Sequence, residues 1–112
     1  MVVKKIKLNP LQSKTLVLLK VLARDDNSSM AGEAEGDRKI LSLPHAHGNH
    51  MHVSEFVVSA KDASGLTNPS VWKALARKGF VKDNWPNEMV ITKAGVEFST
   101  GLEDKFMSVS DH

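Results

Sequence analysis

Four of the five histidines fall close together, at His45, His47, His50 and His52. Imidazole nitrogen binds Zn²⁺, Ni²⁺ and Cu²⁺ well, so this spacing is the first place to look for chemistry. Gly48-Asn49 lies at its centre, and a leading Gly suits a type II′ two-residue turn. A hairpin turning there sets His47 opposite His50 and His45 opposite His52. Side chains two apart on a strand share a face, so all four rings would lie on one side of the ribbon. A plainer reading competes with this one. Neutral imidazoles on a strand edge need no metal, and a metal site needs supporting partners that the nearby residues do not identify. The expectation is a chain without a cofactor, with Zn²⁺ on the four histidines as the alternative.

A second candidate is the polar face of a helix over residues 69–78. Asn68 or Thr67 is suited to cap it, Pro69 fits its first position, and Gly79 stops it. Val71, Ala74 and Leu75 form the expected buried side. Asn68, Ser70, Lys73 and Arg77 form the polar side, with Trp72 alongside and Lys82 just beyond. The plainer reading is a solvated helix face with ordinary surface cations.

Signatures of catalysis are missing. The chain has no cysteine, no glycine-rich phosphate loop, no H-E-x-x-H and no G-x-S-x-G elbow. The expectation is that it is not an enzyme.

These side chains must be positioned by a short series of elements. Pro10 to Arg24 reads as a helix capped by Asn9. Leu11, Leu18, Leu19 and Leu22 recur at helical spacing, with Thr15 on the same side, Val17 and Val21 widening the stripe, and Lys14 and Lys20 nearer solvent. Residues 25–37 are small, polar and glycine-containing, and read as a mobile loop. A short strand over Arg38–Leu43 follows, confined to a sheet edge by Pro44. Val53–Val58 is β-rich. Ser59 caps a short helix with Asp62 at its third position, and Gly65 ends it. After the helix over 69–78, Phe80-Val81 and Met89–Ile91 form a hairpin around Asn84–Asn87. Thr92 caps a last helix over Lys93–Phe98. Leu102, Phe106 and Met107 suggest an amphipathic piece, and residues 108–112 a frayed tail.

A length of 112 residues predicts a single domain over 1–112 with one modest core. The apolar fraction of 41% and charged fraction of 25% are those of a globular protein. Fifteen basic against thirteen acidic residues give a net charge of +2. That is too small to imply nucleic acid unless the cations share a face. The N-terminal segment lacks the pattern of a signal peptide, and no run approaches the ~20 apolar residues of a membrane span. A cytoplasmic location without membrane association is expected.

The order strand, short helix, turn, helix, Gly, strand, turn, strand is that of a helix-turn-helix with an appended wing. Residues 58–81 resemble the core of bacterial winged helix-turn-helix proteins, including MarR-like regulators. The similarity rests on Leu75, Arg77, Lys78, Gly79, Phe80 and Val81, and on the Thr-x-x-Gly step from Thr92 to Gly95. It covers roughly the second half of the chain, and residues 25–52 fall outside it. The resemblance implies an α+β winged helix with a small antiparallel sheet and three or more helices. It implies a transcriptional regulator that reads duplex DNA with the helix over 69–78, as a homodimer. Asn68, Ser70, Lys73 and Arg77 would then face the groove, with Trp72 alongside and Lys82 beyond, Lys and Arg on phosphates or guanine edges and Asn or Ser on bases. The first helix with Leu102, Phe106 and Met107 would be the dimer surface, unless those residues finish the monomer core. The alternative is a winged helix that binds a protein partner through the wing and Trp85. The wing's Asp83 and Glu88 against a single Lys82 favour that alternative. For Trp85 itself the preferred reading is a turn aromatic folded back on its hairpin.

Overall fold

The computed structural model describes residues 7–102 and the backbone of 107–109. In chain order the elements are α1 (Pro10–Arg24), β1 (Ser29–Ala31), β2 (Arg38–Ile40), β3 (Ala46–His47), β4 (His50–Val53) and β5 (Phe56–Ser59). A 3-10 turn (Ser64–Thr67), α2 (Pro69–Arg77), β6 (Val90–Ile91), α3 (Lys93–Glu97) and β7 (Met107–Val109) follow. Among the described residues these make an α+β fold with two small antiparallel sheets, ordered β1-β2-β6 and β3-β4-β5-β7. No described helix is long and apolar enough to cross a membrane.

α1 begins where its capping residues predict. Asn9 Oδ1 accepts from the Gln12 N–H at 2.8 Å, and Gln12 Oε1 accepts from the Asn9 N–H at 3.1 Å. This reciprocal box satisfies two donors that a helix start leaves open, and Pro10 occupies the first position. The helix is enclosed through its middle, since every residue from Thr15 to Lys20 is buried. Both helical neighbours, the 3-10 turn and strands from both sheets pack around it. Leu16, Leu18, Leu19 and Leu22 meet Ile40, Val53, Val58, Leu66, Leu75 and Ile91 in one core.

Enclosure corrects the expectation that Lys20 lies near solvent. It is only 4% exposed, and its Nζ donates to the Phe98 carbonyl at 2.7 Å. Phe98 is the C-cap of α3, where helical carbonyls lack partners and a cation is favoured. Enclosure also changes the role of the first helix. Leu16, Leu18, Leu19 and Leu22 are buried within one chain, so they are not a free dimer surface.

The β-structure departs from the sequence reading in four places. Residues 25–37 are not loop throughout: β1 lies inside them and pairs with β2, Ser29 opposite Ile40. β2 is therefore central rather than an edge, with β6 on its other side, Lys39 opposite Val90. The run Val53–Val58 is not one strand. It turns at Ser54-Glu55, with Val53 opposite Phe56 and Ser54 at φ 55°. Met107 belongs to β7, which pairs with β5, rather than to an amphipathic helix, and Ser108 lies in the same strand rather than in a frayed tail. Phe106 and residues 110–112 lie outside the described residues, while Leu102 is half-buried.

Ser59 Oγ does accept from the Asp62 N–H at 3.1 Å, but residues 60–63 form turns, and the helical piece is the 3-10 turn that follows. Gly65 lies inside that piece rather than ending it. A Cβ there would collide with the Thr15 hydroxyl of α1. The glycine is needed because the two segments approach that closely. Beside this contact the Lys14 ammonium donates to Asp62 Oδ1 at 2.8 Å, with both side chains about a quarter exposed.

Two predictions follow from this junction. Gly65→Ala should cost roughly 1–3 kcal/mol by overpacking. Thr15→Ala removes the nearest clashing atom, so the double variant should lose less than the sum of the singles in urea unfolding. Additive losses would refute the contact. For Asp62, the hydrogen bond from Lys14 holds the carboxyl below its ordinary 3.8, against opposition from burial. A depressed carboxylate contributes stability above about pH 4 and loses it as pH falls through the folded-state value. Asp62→Asn should therefore cost roughly 0.5–1 kcal/mol at neutral pH, the partial exposure of the pair limiting its worth. The gap to wild type should narrow progressively as pH falls below the ordinary carboxyl range, and a gap that stayed constant down to the lowest pH at which both proteins fold would exclude this origin.

Candidate nucleic-acid interface

α2 is positioned by its ends. Asn68 Oδ1 accepts from the Ser70 N–H at 3.0 Å, Pro69 occupies the first position, and Gly79 leaves the helix at φ 80°. Val71, Trp72 and Leu75 point into the core, with Ala74 and Ala76 half-buried. Ser70, Lys73 and Arg77 are exposed. Their spacing of three and four residues places them on one side of the helix. Lys78, exposed at the C-cap, extends the same positive end. The basic pair before Gly79 is the signal that marks it. The segment 63–82 carries Lys73, Arg77, Lys78 and Lys82 and not one acid. The α2 face therefore offers cations and a hydroxyl to a ligand, with no carboxylate of its own.

The other residues read from the sequence are placed less favourably. Asn68 is half-buried and its carboxamide oxygen is committed to the cap. Trp72 does not lie alongside the polar face. It is 2% exposed, and its Nε1–H donates to the Leu66 carbonyl at 2.8 Å. Helical spacing puts position 72 next to Val71 and one turn before Leu75 and Ala76, which assigns it to the core rather than the groove. Lys82 is exposed, but its Nζ leans towards Asp37, 4.0 Å from Oδ2.

The hairpin after α2 is short. Val81 bridges Ile91, and the Lys82 N–H donates to the Val90 carbonyl at 3.0 Å. β6 carries this hairpin into the sheet of β1 and β2, so α2 and the hairpin are fixed to one frame. The turn over 83–87 folds back: Trp85, half-buried, stacks on Trp72 with centroids 5.8 Å apart and planes 15° apart. Asp83 reaches the shallow surface depression lined by Lys73, Ala76 and Arg77.

The Thr-x-x-Gly step has a physical account. Thr92 Oγ1 donates to the Gly79 carbonyl at 2.5 Å and accepts from the Gly95 N–H at 3.1 Å. One hydroxyl thus joins the end of α2 to the start of α3. Gly95 is required because a Cβ there would strike the Phe80 backbone. Asp37 completes this corner: it is buried, and its Oδ1 accepts from the Lys93 N–H at 2.9 Å.

The histidines sit elsewhere, on the β3–β4 hairpin. The register is the expected one, His47 opposite His50, with Gly48 at φ 67°. The rings of His47, His50 and His52 lie 5.2–6.2 Å apart, centroid to centroid, while His45 is exposed one residue before β3. As placed, no three His, Asp or Glu side chains among the described residues are set to hold a metal ion.

Comparison with protein-family models, with curated proteins and with solved structures finds no match to this chain.

The tryptophan stack makes a direct prediction. Trp85→Ala removes an aromatic partner worth about 0.5–1.5 kcal/mol beyond its buried area. It should also uncover Trp72, so the remaining indole fluorescence should become quenchable by iodide. Unchanged protection of Trp72 would show that the turn does not fold back.

Proposed function

We propose that the chain is a winged-helix DNA-binding protein, a transcriptional regulator of the kind its second half resembles. In this reading α2 enters the major groove, with Lys73 and Arg77 as its principal contacts. The observation that carries the reading is the exposed face of Ser70, Lys73 and Arg77. It lies on a helix capped at both ends, braced from behind by the 3-10 turn and α1, and tied to the adjoining hairpin through β6. A helix held this way can present side chains to a groove about 12 Å wide without reorganising. The hairpin after Val81 acts as the wing. The fit is looser in two respects. The bracing element is a 3-10 turn of four residues, and the histidine hairpin with β5 intrudes between β2 and the helix pair. Recognition of a two-fold operator would call for a homodimer. With Leu16, Leu18, Leu19 and Leu22 buried, the large apolar residues left exposed among those described are Met30 and Leu41.

One observation favours the second reading, a winged helix that binds protein. The wing carries Asp83 and Glu88, and its one cation, Lys82, leans towards Asp37. A wing meant to track phosphates is better served by free cations. In that reading Trp85 would act through the part of its ring left exposed by its stack on the buried Trp72 rather than as a free anchor.

The test is binding to random-sequence duplex DNA over a salt series. In log–log form the slope is about −0.9 per phosphate contact. Lys73→Ala/Arg77→Ala should weaken binding and make the slope shallower by up to about 1.8, if both side chains contact phosphates. Absence of binding at low salt would remove the DNA reading and leave the protein-partner reading.

A further inference from the structure

We propose that the β3–β4 hairpin carries a divalent transition-metal site built on His47, His50 and His52, suited to Zn²⁺, Cu²⁺ or Ni²⁺. The inference stands apart from the DNA reading, since none of these residues belongs to α2 or the wing.

The backbone does most of the assembly. His47 and His50 are direct cross-strand partners across a two-residue turn, and His50 and His52 are two apart on β4. All three therefore project from one face of the hairpin. The opposite face carries Met51 and Val53, which pack into the core with Val58. Burial of that face fixes the register, because a slip by one residue would turn the histidines inward and expose Val53. The residues of β5 across from His50 and His52 are Ser59 and Val57, so no cation faces these two rings from that strand.

The spacing is close to what an ion requires. A metal–nitrogen bond of about 2.0–2.1 Å puts a ring centroid about 3.2 Å from the ion, so tetrahedral ligands have centroids about 5.2 Å apart. His50 and His52 stand at 5.2 Å. His47 stands 5.8 Å from His52 and 6.2 Å from His50. As placed the three rings do not form a metal-holding group, so convergence needs the His47 ring to come closer by roughly 1 Å and the rings to turn about χ1 and χ2 until a nitrogen of each faces one point. Three imidazoles leave a fourth position for water or for His45. The ladder that pairs Ala46 with Met51 would place His45 across from His52, one step further along. A site of three imidazoles and one open position suits these borderline cations better than Ca²⁺ or Mg²⁺, which prefer oxygen.

The experiment is calorimetric titration of the untagged chain with Zn²⁺, in buffer containing about a hundredfold excess of free imidazole. A chelating cluster holds its ion against single imidazoles because the second and third bonds form at high effective concentration. One equivalent should bind. His47→Asn, His50→Asn and His52→Asn should each weaken binding by at least about 10–100-fold, since loss of a mere supporting partner already costs that much. His112→Asn should leave the affinity unchanged. The variants alter an outward face, and circular dichroism checks that they fold. In the wild type, zinc should shift the ring proton resonances of His47, His50 and His52 together, which needs no variant. Binding abolished by free imidazole, hairpin variants that bind like wild type, or zinc-induced shifts outside the hairpin would each overturn the site. No DNA enters the measurement, so its failure says nothing against the role of Lys73 and Arg77.

Discussion

The enclosure of α1 is the constraint on which the other contacts depend. A chain of this length supports one core, and here that core is a helix wrapped on every side through its middle, Thr15 to Lys20, rather than a helix laid on a sheet. Wrapping demands apolar residues beyond a single stripe, which Leu16, Val17, Leu18 and Leu19 supply in an unbroken run. It also traps polar groups that must then find partners, because an unpaired buried hydroxyl or ammonium is costly. Thr15 donates back to the Leu11 carbonyl at 2.8 Å, and Lys20 reaches the Phe98 carbonyl. Among the described residues no buried side-chain nitrogen or oxygen lacks a hydrogen bond. The cation on Lys20 is tolerated because it meets the electronegative end of α3.

From that centre, two glycine contacts set where the polar surface lies. Gly65 lets the 3-10 turn come down onto Thr15, which fixes the start of α2 one residue after the turn. Gly95 lets α3 come down onto Phe80, which fixes the strand leaving α2. Thr92 and Asp37 then lock the corner with hydrogen bonds to Gly79, Gly95 and Lys93. α2 is thus held at both ends by contacts made behind it, and its outward residues carry no structural duty. That separation is what leaves Ser70, Lys73 and Arg77 available to a partner.

The parts of this arrangement that the sequence announces are those decided locally. Asn9-Pro10, Asn68-Pro69, Gly79 and Thr92 mark helix ends through interactions within a few residues, and each marks the end observed. Gly48-Asn49 likewise turns the histidine hairpin, with the register expected for it. The remainder depends on distant segments. Lys20 is amphipathic in type, and only the wrapping of α1 decides that it is buried. Trp72 lies at core spacing, but its type also suits a polar face, and the turn over 83–87 completes its cover. Ser54-Glu55 turns the chain without Gly, Pro or Asn, so Val53–Val58 looks continuous. Ser29–Ala31 has weak β-propensity and becomes a strand because β2 offers it an edge. Gly65 resembles a helix stop because a residue needed for close approach and one needed for left-handed backbone are the same letter. The site was legible to the same extent: residue type and helical spacing identify Lys73, Arg77 and Ser70 as outward, but not that Asn68 is tied up or that Lys82 turns away.

The electrostatics of α2 also bear on how it would recognise a partner. With a net charge of +2 the molecule as a whole exerts little long-range pull. At physiological salt the Debye length is about 8 Å, so charges beyond the immediate surroundings of α2 contribute little in any case. Nearby, Lys73 and Arg77 are opposed by Asp83, which lines the same depression. Encounter with a polyanion would then be only weakly steered, and affinity would rest on short-range contacts made after docking. A rigid helix suits that regime better than a mobile basic arm does, because little side-chain and backbone ordering remains to be lost on binding. The contacts that hold α2 from behind are thus part of any affinity it has, although none of them touches the partner.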